Sequence, residues 1–377
     1  MRGISRTLAV ACAALACWAA PAGAATQRLT DVPAGFWAGR QITWAVKNGW
    51  ITPRTPTLYG VKHTVSRRTA SDVLARLNMR QTGQPIAPDP YAQAVAAGWI
   101  SAGTGFSQPI TQREFDAGLV RVLGMGSAAK QIGALVTAGG WRPPLPNGFG
   151  VEQVVRALGL RANAPAGSDQ WEQEPNDDLT RTSLAVEAFA ARYMPSGQTS
   201  LATAKTAVAT ALPALTPLQQ KVIRYALRFG GYPYVWGGES TTTSSPYGAQ
   251  AAGGFDCSGF VWWVLKMHTY SVDGHNWNAS AQITARDTYS MAKALPVARR
   301  IPRAHLHPGD IAFWSTAPNG VHTNWSTVEH TGIYLGGGWV IDSNGSSDGV
   351  TLDNMGAGAG WYHDAFAFGW RVLPRGA

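Results

Sequence analysis

Apolar positions in the first half of the chain fall at helical spacing, in blocks that recur. Val65-Ser66-Arg67-Arg68 opens a helix with Val73, Leu74 and Leu77 behind it. Ile110-Thr111-Gln112-Arg113-Glu114 opens another, in which Thr111 is placed to cap the helix and Glu114 to close a capping box three residues on. Leu179-Thr180-Arg181-Thr182 opens a third, followed by Leu184, Ala185, Ala188 and Phe189. Shorter helices stopped by glycine and followed by an aromatic residue end at Gly49-Trp50 and Gly98-Trp99, with a looser copy at Gly139-Gly140-Trp141. These tryptophans read as core plugs between helices. Residues 28–193 are therefore expected to be mostly α-helical repeats. The Ala/Thr/Ser/Pro-rich run 194–215 reads as a linker.

From about residue 216 the pattern changes. Pro217 suits a first helical position and starts a helix to about Phe229, ended by Gly230-Gly231. Ser258 to Lys266 reads as a buried apolar helix. Thr331 to Leu335, Gly336 to Gly338 and Trp339 to Asp342 read as strand, glycine turn and strand, a β-hairpin. With a three-residue loop, Leu335 faces Trp339 and His330 faces Asn344, with Asp342 diagonal on the same side. A two-residue turn brings Ser343 opposite His330 instead, and periodicity does not choose between them. Residues 216–377 are expected to form an α+β unit, a helix packed on an antiparallel sheet.

Composition adds compartment and charge. Arg2 and Arg6, the apolar run from Leu8 to Ala20 and Ala22-Gly23-Ala24 predict a secretory signal over 1–24. No later segment is long and apolar enough to suggest a membrane span. The net charge of +9 on 377 residues suits an acidic surrounding such as anionic wall polymers. No Lys/Arg stripe or nucleic-acid motif accompanies it, so nucleic acid is not an expected partner.

The same signal contains Cys12 and Cys17, which leaves Cys257 as the one cysteine of an exported chain. Without a disulfide partner, chemistry is the leading reason for it. At a helix start its thiolate lies in a favourable field, and nearby backbone N–H groups are placed to hold an oxyanion. A base is required, and among the histidines His330 stands out by its hairpin. Asp342 and Asn344 are both placed to orient it. A single cysteine and no HExxH argue against a metal or other cofactor.

Two resemblances extend this reading. Leu29-Thr30-Asp31-Val32 with Phe36-Trp37, the Gly-Trp stops and the Ile110–Glu114 helix start resemble S-layer homology repeats over roughly 28–193. That implies wall-polymer binding. Val65–Arg68 and Leu179–Thr182 depart from that family's helix start. Pro233-Tyr234-Val235-Trp236-Gly237-Gly238, Phe255-Asp256-Cys257-Ser258-Gly259-Phe260, Leu306-His307-Pro308-Gly309-Asp310-Ile311-Ala312-Phe313 and His330-Thr331-Gly332-Ile333-Tyr334-Leu335 occur in the order seen in NlpC-type cell-wall peptidases, over about 215–375.

The second resemblance implies a papain-like fold. It implies Cys257 as nucleophile, His330 as base and Asp342, 12 positions after the histidine, as third member. That family more often has His, Asn or Gln at the third position. An aspartate favours the protonated imidazole and a higher pH optimum. The resemblance also implies substrate contacts for Tyr234, Asp256 and Ser258, and cleavage of peptidoglycan stem peptides between D-glutamate and a diamino acid. Rival readings are an amidase at the sugar–peptide junction, an acyl transferase on the same fold, or a non-catalytic wall-binding protein. Two polar inserts, 239–254 before the nucleophile and 315–329 before the histidine, depart from the family and read as lids or as loose surface.

Overall fold

The computed structural model describes residues 28–374 except 104, 139–145, 195–214, 357 and 359. The signal expected at 1–24, nearly all of the linker expected at 194–215 and the Gly139-Gly140-Trp141 stop lie outside the described residues.

The first half is helical: α1 (Gly39–Lys47), α2 (Arg67–Thr82), α3 (Pro90–Ala96), α4 (Gln112–Val122), α5 (Gly126–Ala138), α6 (Pro146–Ala157) and α7 (Arg181–Ala191). The three repeated helix starts close on one another in a ring of backbone hydrogen bonds. Val65 N–H donates to Leu179 O (2.8 Å), Leu179 N–H to Ile110 O (2.9 Å) and Ile110 N–H to Val65 O (3.1 Å). Next to this ring, Ser66, Thr111 and Thr180 cap α2, α4 and α7 through their hydroxyls. The capping box expected at Glu114 does not form. Its carboxylate pairs with Arg67 and accepts from Ser101 instead, which holds it below the usual carboxylate range against the opposing effect of burial.

The glycine stops share one geometry. Gly49 and Gly98 take left-handed φ values of 68° and 70°, and the N–H of the next residue, Trp50 or Trp99, reaches back five residues at 2.8 Å. Both tryptophans are buried, as core plugs should be. Two further described occurrences have no aromatic. Gly124 (φ 72°) is followed by buried Met125, whose N–H reaches Val120 O at 2.8 Å. Gly159 (φ 62°) is followed by buried Leu160, whose N–H reaches Val155 O at 2.8 Å. The position requires a buried apolar group behind a left-handed residue, and leucine meets that as well as tryptophan.

Helix α8 (Pro217–Leu227) starts at Pro217 as expected, with a Thr216–Gln219 capping box. Beyond it lies an antiparallel six-stranded sheet: β1 (Arg300–Ile301), β2 (Ile311–Ser315), β3 (Val328–Gly336), β4 (Trp339–Asn344), β5 (Gly349–Asn354) and β6 (Phe366–Trp370), in the spatial order β5-β4-β3-β2-β6-β1. Helices α9 (Cys257–Trp262, continued by a π-helical turn to Met267) and α10 (Thr288–Ala294) pack on β3. Leu306, Trp314, Val340 and Phe366 build a separate apolar cluster. The short helix α11 (Trp361–Asp364) follows β5.

The two halves share a buried polar joint. Arg156 of α6 pairs with Asp348 (3.1 Å) and Glu152 (3.4 Å) and donates to Gly231 O. Gln153 Oε1 accepts from Leu352 N–H at 2.7 Å, and Asn163 Nδ2 donates to Gly345 O at 2.8 Å. Among the described residues, no helix is long and apolar enough to cross a membrane.

Candidate active site

Cys257 sits at the first residue of α9, as the apolar run predicts. Asp256 caps that helix, its Oδ1 accepting from Gly259 N–H at 2.6 Å. The helix start is pressed against the preceding loop, with Asp256 N–H on Gly238 O at 2.9 Å. Only glycine fits at 259, since a Cβ there would meet the Gly238 carbonyl at 2.0 Å. The thiol is part-exposed, and its Sγ lies 3.3 Å from Thr288 Oγ1 at the start of α10.

Arg286, just ahead of α10, ties the region together. It donates to Asp256 Oδ1 (3.1 Å), Ser258 Oγ (2.9 Å) and Gly238 O (2.9 Å) and pairs with Glu239. Ser258 is buried, its hydroxyl donating to Asp256 Oδ1 at 3.0 Å while accepting from Arg286. Tyr234 is half-buried, its ring 3.7 Å from the Cβ position of Gly345. Burial, then the negative charges that Cys257 and Asp256 can carry, hold its hydroxyl protonated well above the ordinary range.

His330 and Asp342 come from β3 and β4, whose register resolves the turn ambiguity. At the turn Trp339 pairs with Gly336, leaving a two-residue loop; a bulge then follows, and Val340 pairs with Tyr334 and Ile341 with Ile333. The bulge restores the register of a three-residue loop. Asn344 falls opposite His330, and Asp342 lies diagonal to it and opposite Gly332. A Cβ at 332 would meet both Asp342 Cβ and Val340 Cγ2 at 2.8 Å, so glycine is what lets the carboxylate sit over that strand.

His330 Nε2 lies 2.5 Å from Asp342 Oδ2, and Asp342 is fully buried. Nδ1 is the ring nitrogen left for Cys257. Burial alone would lower the imidazole, but Asp342, helped by the nearby Cys257, pushes it up to about 10. The ring lies between Trp314 (centroids 5.5 Å) and Trp361 (5.7 Å), which narrow its access to water. Asn344 is in a second layer, with Nδ2 near Thr351, Asp353 and Tyr362 at 3.1, 3.2 and 3.1 Å. Ser343 turns away from His330, donating to Phe255 O at 2.7 Å and so steadying the segment before the nucleophile.

The structure thus places Cys257, His330, Asp342, Tyr234 and Asp256 at one site, with Ser258 behind it. It adds residues the sequence reading missed: Thr288, Arg286, Glu239 and Tyr362. Arg286-Asp287-Thr288 carries a local signal for a helix cap, and Asp287 does cap α10, but nothing local says that the flanking residues return to the cysteine. The inserts carry their own hydrogen-bond networks. In 239–254, Glu239 carries Ser245, Tyr247 N–H and Arg286, and Gln250 Nε2 is shared by backbone carbonyls. In 315–329, Ser315 and Thr327 hydroxyls bond at 2.7 Å, and Trp325 packs edge-on to Tyr289. Among the described residues, no group of three or more His, Cys, Asp or Glu is arranged to hold a metal ion.

The site thus brings a helix-start cysteine near a carboxylate-held histidine. Residues 231–368 match the NlpC/P60 family, so the chain carries a C-terminal NlpC/P60 domain. Similar proteins include a probable endopeptidase p60 of Listeria grayi (30% identical over 139 residues; 37% of this chain, 20% of the relative). Others are a murein DD-endopeptidase of Escherichia coli (30% over 125 residues; 33% and 36%) and a gamma-D-glutamyl-L-lysine dipeptidyl-peptidase of Bacillus subtilis (28% over 124 residues; 33% and 31%). The chain spans a fifth to about a third of the length of these curated relatives.

Proposed function

We propose that this chain is a secreted cell-wall hydrolase that cleaves peptidoglycan stem peptides at the D-γ-glutamyl–diamino acid bond through Cys257, His330 and Asp342. The observation that carries the reading is the His330–Asp342 contact beside a helix-start cysteine, inside the region that matches the NlpC/P60 family. The relatives' names support a peptide bond of the wall as substrate, and one of them names the D-glutamyl bond.

In this mechanism Nδ1 of His330 takes the Cys257 proton, and the thiolate attacks the γ-carbonyl carbon of D-glutamate. First-turn N–H groups of α9, which have no intrahelical partners, face the developing oxyanion. The imidazolium returns its proton to the leaving amine of the diamino acid, and the C–N bond breaks. Water, deprotonated by His330, then hydrolyses the thioester and restores the thiol. Asp342 keeps the imidazole in the tautomer with the proton on Nε2 and stabilises the imidazolium. Tyr234 and Asp256 contact the substrate's polar groups from the rim, and Ser258 with Arg286 holds Asp256 in place. The helical half positions the enzyme on anionic wall polymers.

Mass spectrometry of fragments released from purified peptidoglycan tests this. Cleavage after D-glutamate is expected. Release of whole stem peptides would make the chain an amidase, transferred products an acyl transferase, and no release from several walls a binding protein.

A further inference from the structure

We infer that Tyr362 is a positioning residue of this site: its hydroxyl holds the same Asp342 oxygen that binds His330, and it governs how readily the His330–Asp342 pair releases its shared proton. The inference rests on the hydrolase reading above and deepens it.

The geometry is specific. Tyr362 Oη lies 2.6 Å from Asp342 Oδ2, while His330 Nε2 lies 2.5 Å from that same atom. Among the described residues, the other carboxylate oxygen, Oδ1, has only Asn344 Nδ2 at 3.5 Å. Tyr362 is therefore, among the described residues, the one close donor to Asp342 besides the histidine. Its direction is fixed by the next residue in the chain of bonds. Asn344 Oδ1 accepts from Ser347 N–H (2.7 Å) and Ser346 Oγ (2.8 Å), so its amide nitrogen must point inward, where it lies 3.1 Å from Tyr362 Oη. The hydroxyl accepts from Asn344 and donates to Asp342. Burial, then Asp342 and Asp353, keep the phenol protonated well above its ordinary range, so it stays a donor. The backbone of Tyr362 is pinned as well, because Trp314 Nε1 donates to its carbonyl at 2.8 Å and the Trp314 ring packs edge-on to the tyrosine.

The chemical consequence follows from charge. The titratable groups meeting here are Cys257 on α9, His330 on β3, Asp342 on β4, Asp353 on β5 and Tyr362 on α11. When the His330–Asp342 pair gives its proton to the leaving amine, it leaves a buried carboxylate beside a neutral imidazole. Asp353 is close enough to oppose that charge. Water does not reach Asp342, so the Tyr362 hydroxyl is what solvates it in that state. The hydroxyl does this wherever the proton sits within the pair. An aspartate in the third position holds a proton more strongly than a neutral amide or imidazole would, and the tyrosine offsets that grip.

The test is Tyr362→Phe, which keeps the ring between its aromatic neighbours and removes only the hydroxyl. Two readouts are taken: stem-peptide hydrolysis against pH, and iodoacetamide alkylation of Cys257 against pH, which needs no substrate. The falling upper limb of the hydrolysis profile and the upper inflection of the alkylation profile are both expected to move to higher pH, by about half a unit or more. kcat should fall several-fold with KM little changed. Asn344→Ala, which weakens the hydroxyl as a donor, should move the limb the same way by less. Thermal melting separates this from a packing role: Tyr362→Leu lowers Tm, while Tyr362→Phe barely does. An upper limb that stays in place or moves down in both single variants overturns the inference. Hydrolysis that persists in Cys257→Ala instead overturns the hydrolase reading, and the alkylation profile still decides on Tyr362.

Discussion

At the residue scale, the site is a set of charges whose protonation is governed by burial and by one another. Replacing Asp342 with Asn removes the charge that raises His330 while keeping the shape. Hydrolysis is expected to fall by about 10²- to 10⁴-fold, with the upper limb of the pH–rate profile moving down toward the ordinary imidazole range, because the raised proton affinity comes from the carboxylate. A rate and profile matching the unaltered protein would exclude Asp342 from the mechanism. Arg286 carries a different load. Arg286→Ala leaves Asp256 and Glu239 without their cationic partner, and chemical denaturation should show a loss of about 2–4 kcal/mol. Cys257 and His330 were legible in the sequence because each has a local signature, a helix start for one and a strand–turn–strand pattern for the other. Arg286, Thr288 and Tyr362 lie 29, 31 and 105 positions beyond Cys257 and join the site only through tertiary packing, which spacing does not report.

At the element scale, register decides which side chains meet. The hairpin offered two turn lengths from sequence, and the structure uses the shorter turn with a bulge that restores the longer turn's register. A bulge leaves no mark in a run of glycines, so this part was not readable in advance. Gly332 is the consequence. Gly332→Ala puts a methyl group 2.8 Å from Asp342 Cβ and must move β3 or β4 apart. We expect a stability cost of about 1–3 kcal/mol and a loss of activity larger than that cost explains, measured by denaturation and turnover on the same preparation. An active, stable variant would show that the Asp342 position tolerates displacement. The helical half gives the complementary lesson. Two Gly-Trp stops could be read directly, whereas the Gly124-Met125 and Gly159-Leu160 stops could not, because their backbone role is filled by residues that look ordinary.

At the scale of the whole molecule, the two halves are joined by buried charge. Asp116, Glu152, Glu172, Glu187 and Asp348 are buried around Arg156 and Arg161, so carboxyls outnumber guanidiniums. Burial holds Asp116, Glu172, Glu187 and Asp348 above the ordinary carboxylate range. The folded protein thus keeps protons that the unfolded chain releases near pH 4, and this cluster's contribution to stability is full below about pH 4 and is lost as pH rises toward neutrality and beyond. Melting temperature from pH 5 to 8 should therefore fall less steeply in Glu187→Gln than in the unaltered protein; an unchanged slope would contradict the linkage. A linker between two units was expected from composition, but the joint was not, because Arg156, Asp348 and Leu352 are far apart in the chain. The most direct test of the whole account is hydrolysis of a defined stem peptide by the intact protein and by Cys257→Ala, followed by mass spectrometry. The account predicts scission after D-glutamate by the former and a loss of at least about 10³-fold in the latter. Undiminished scission by Cys257→Ala would contradict it.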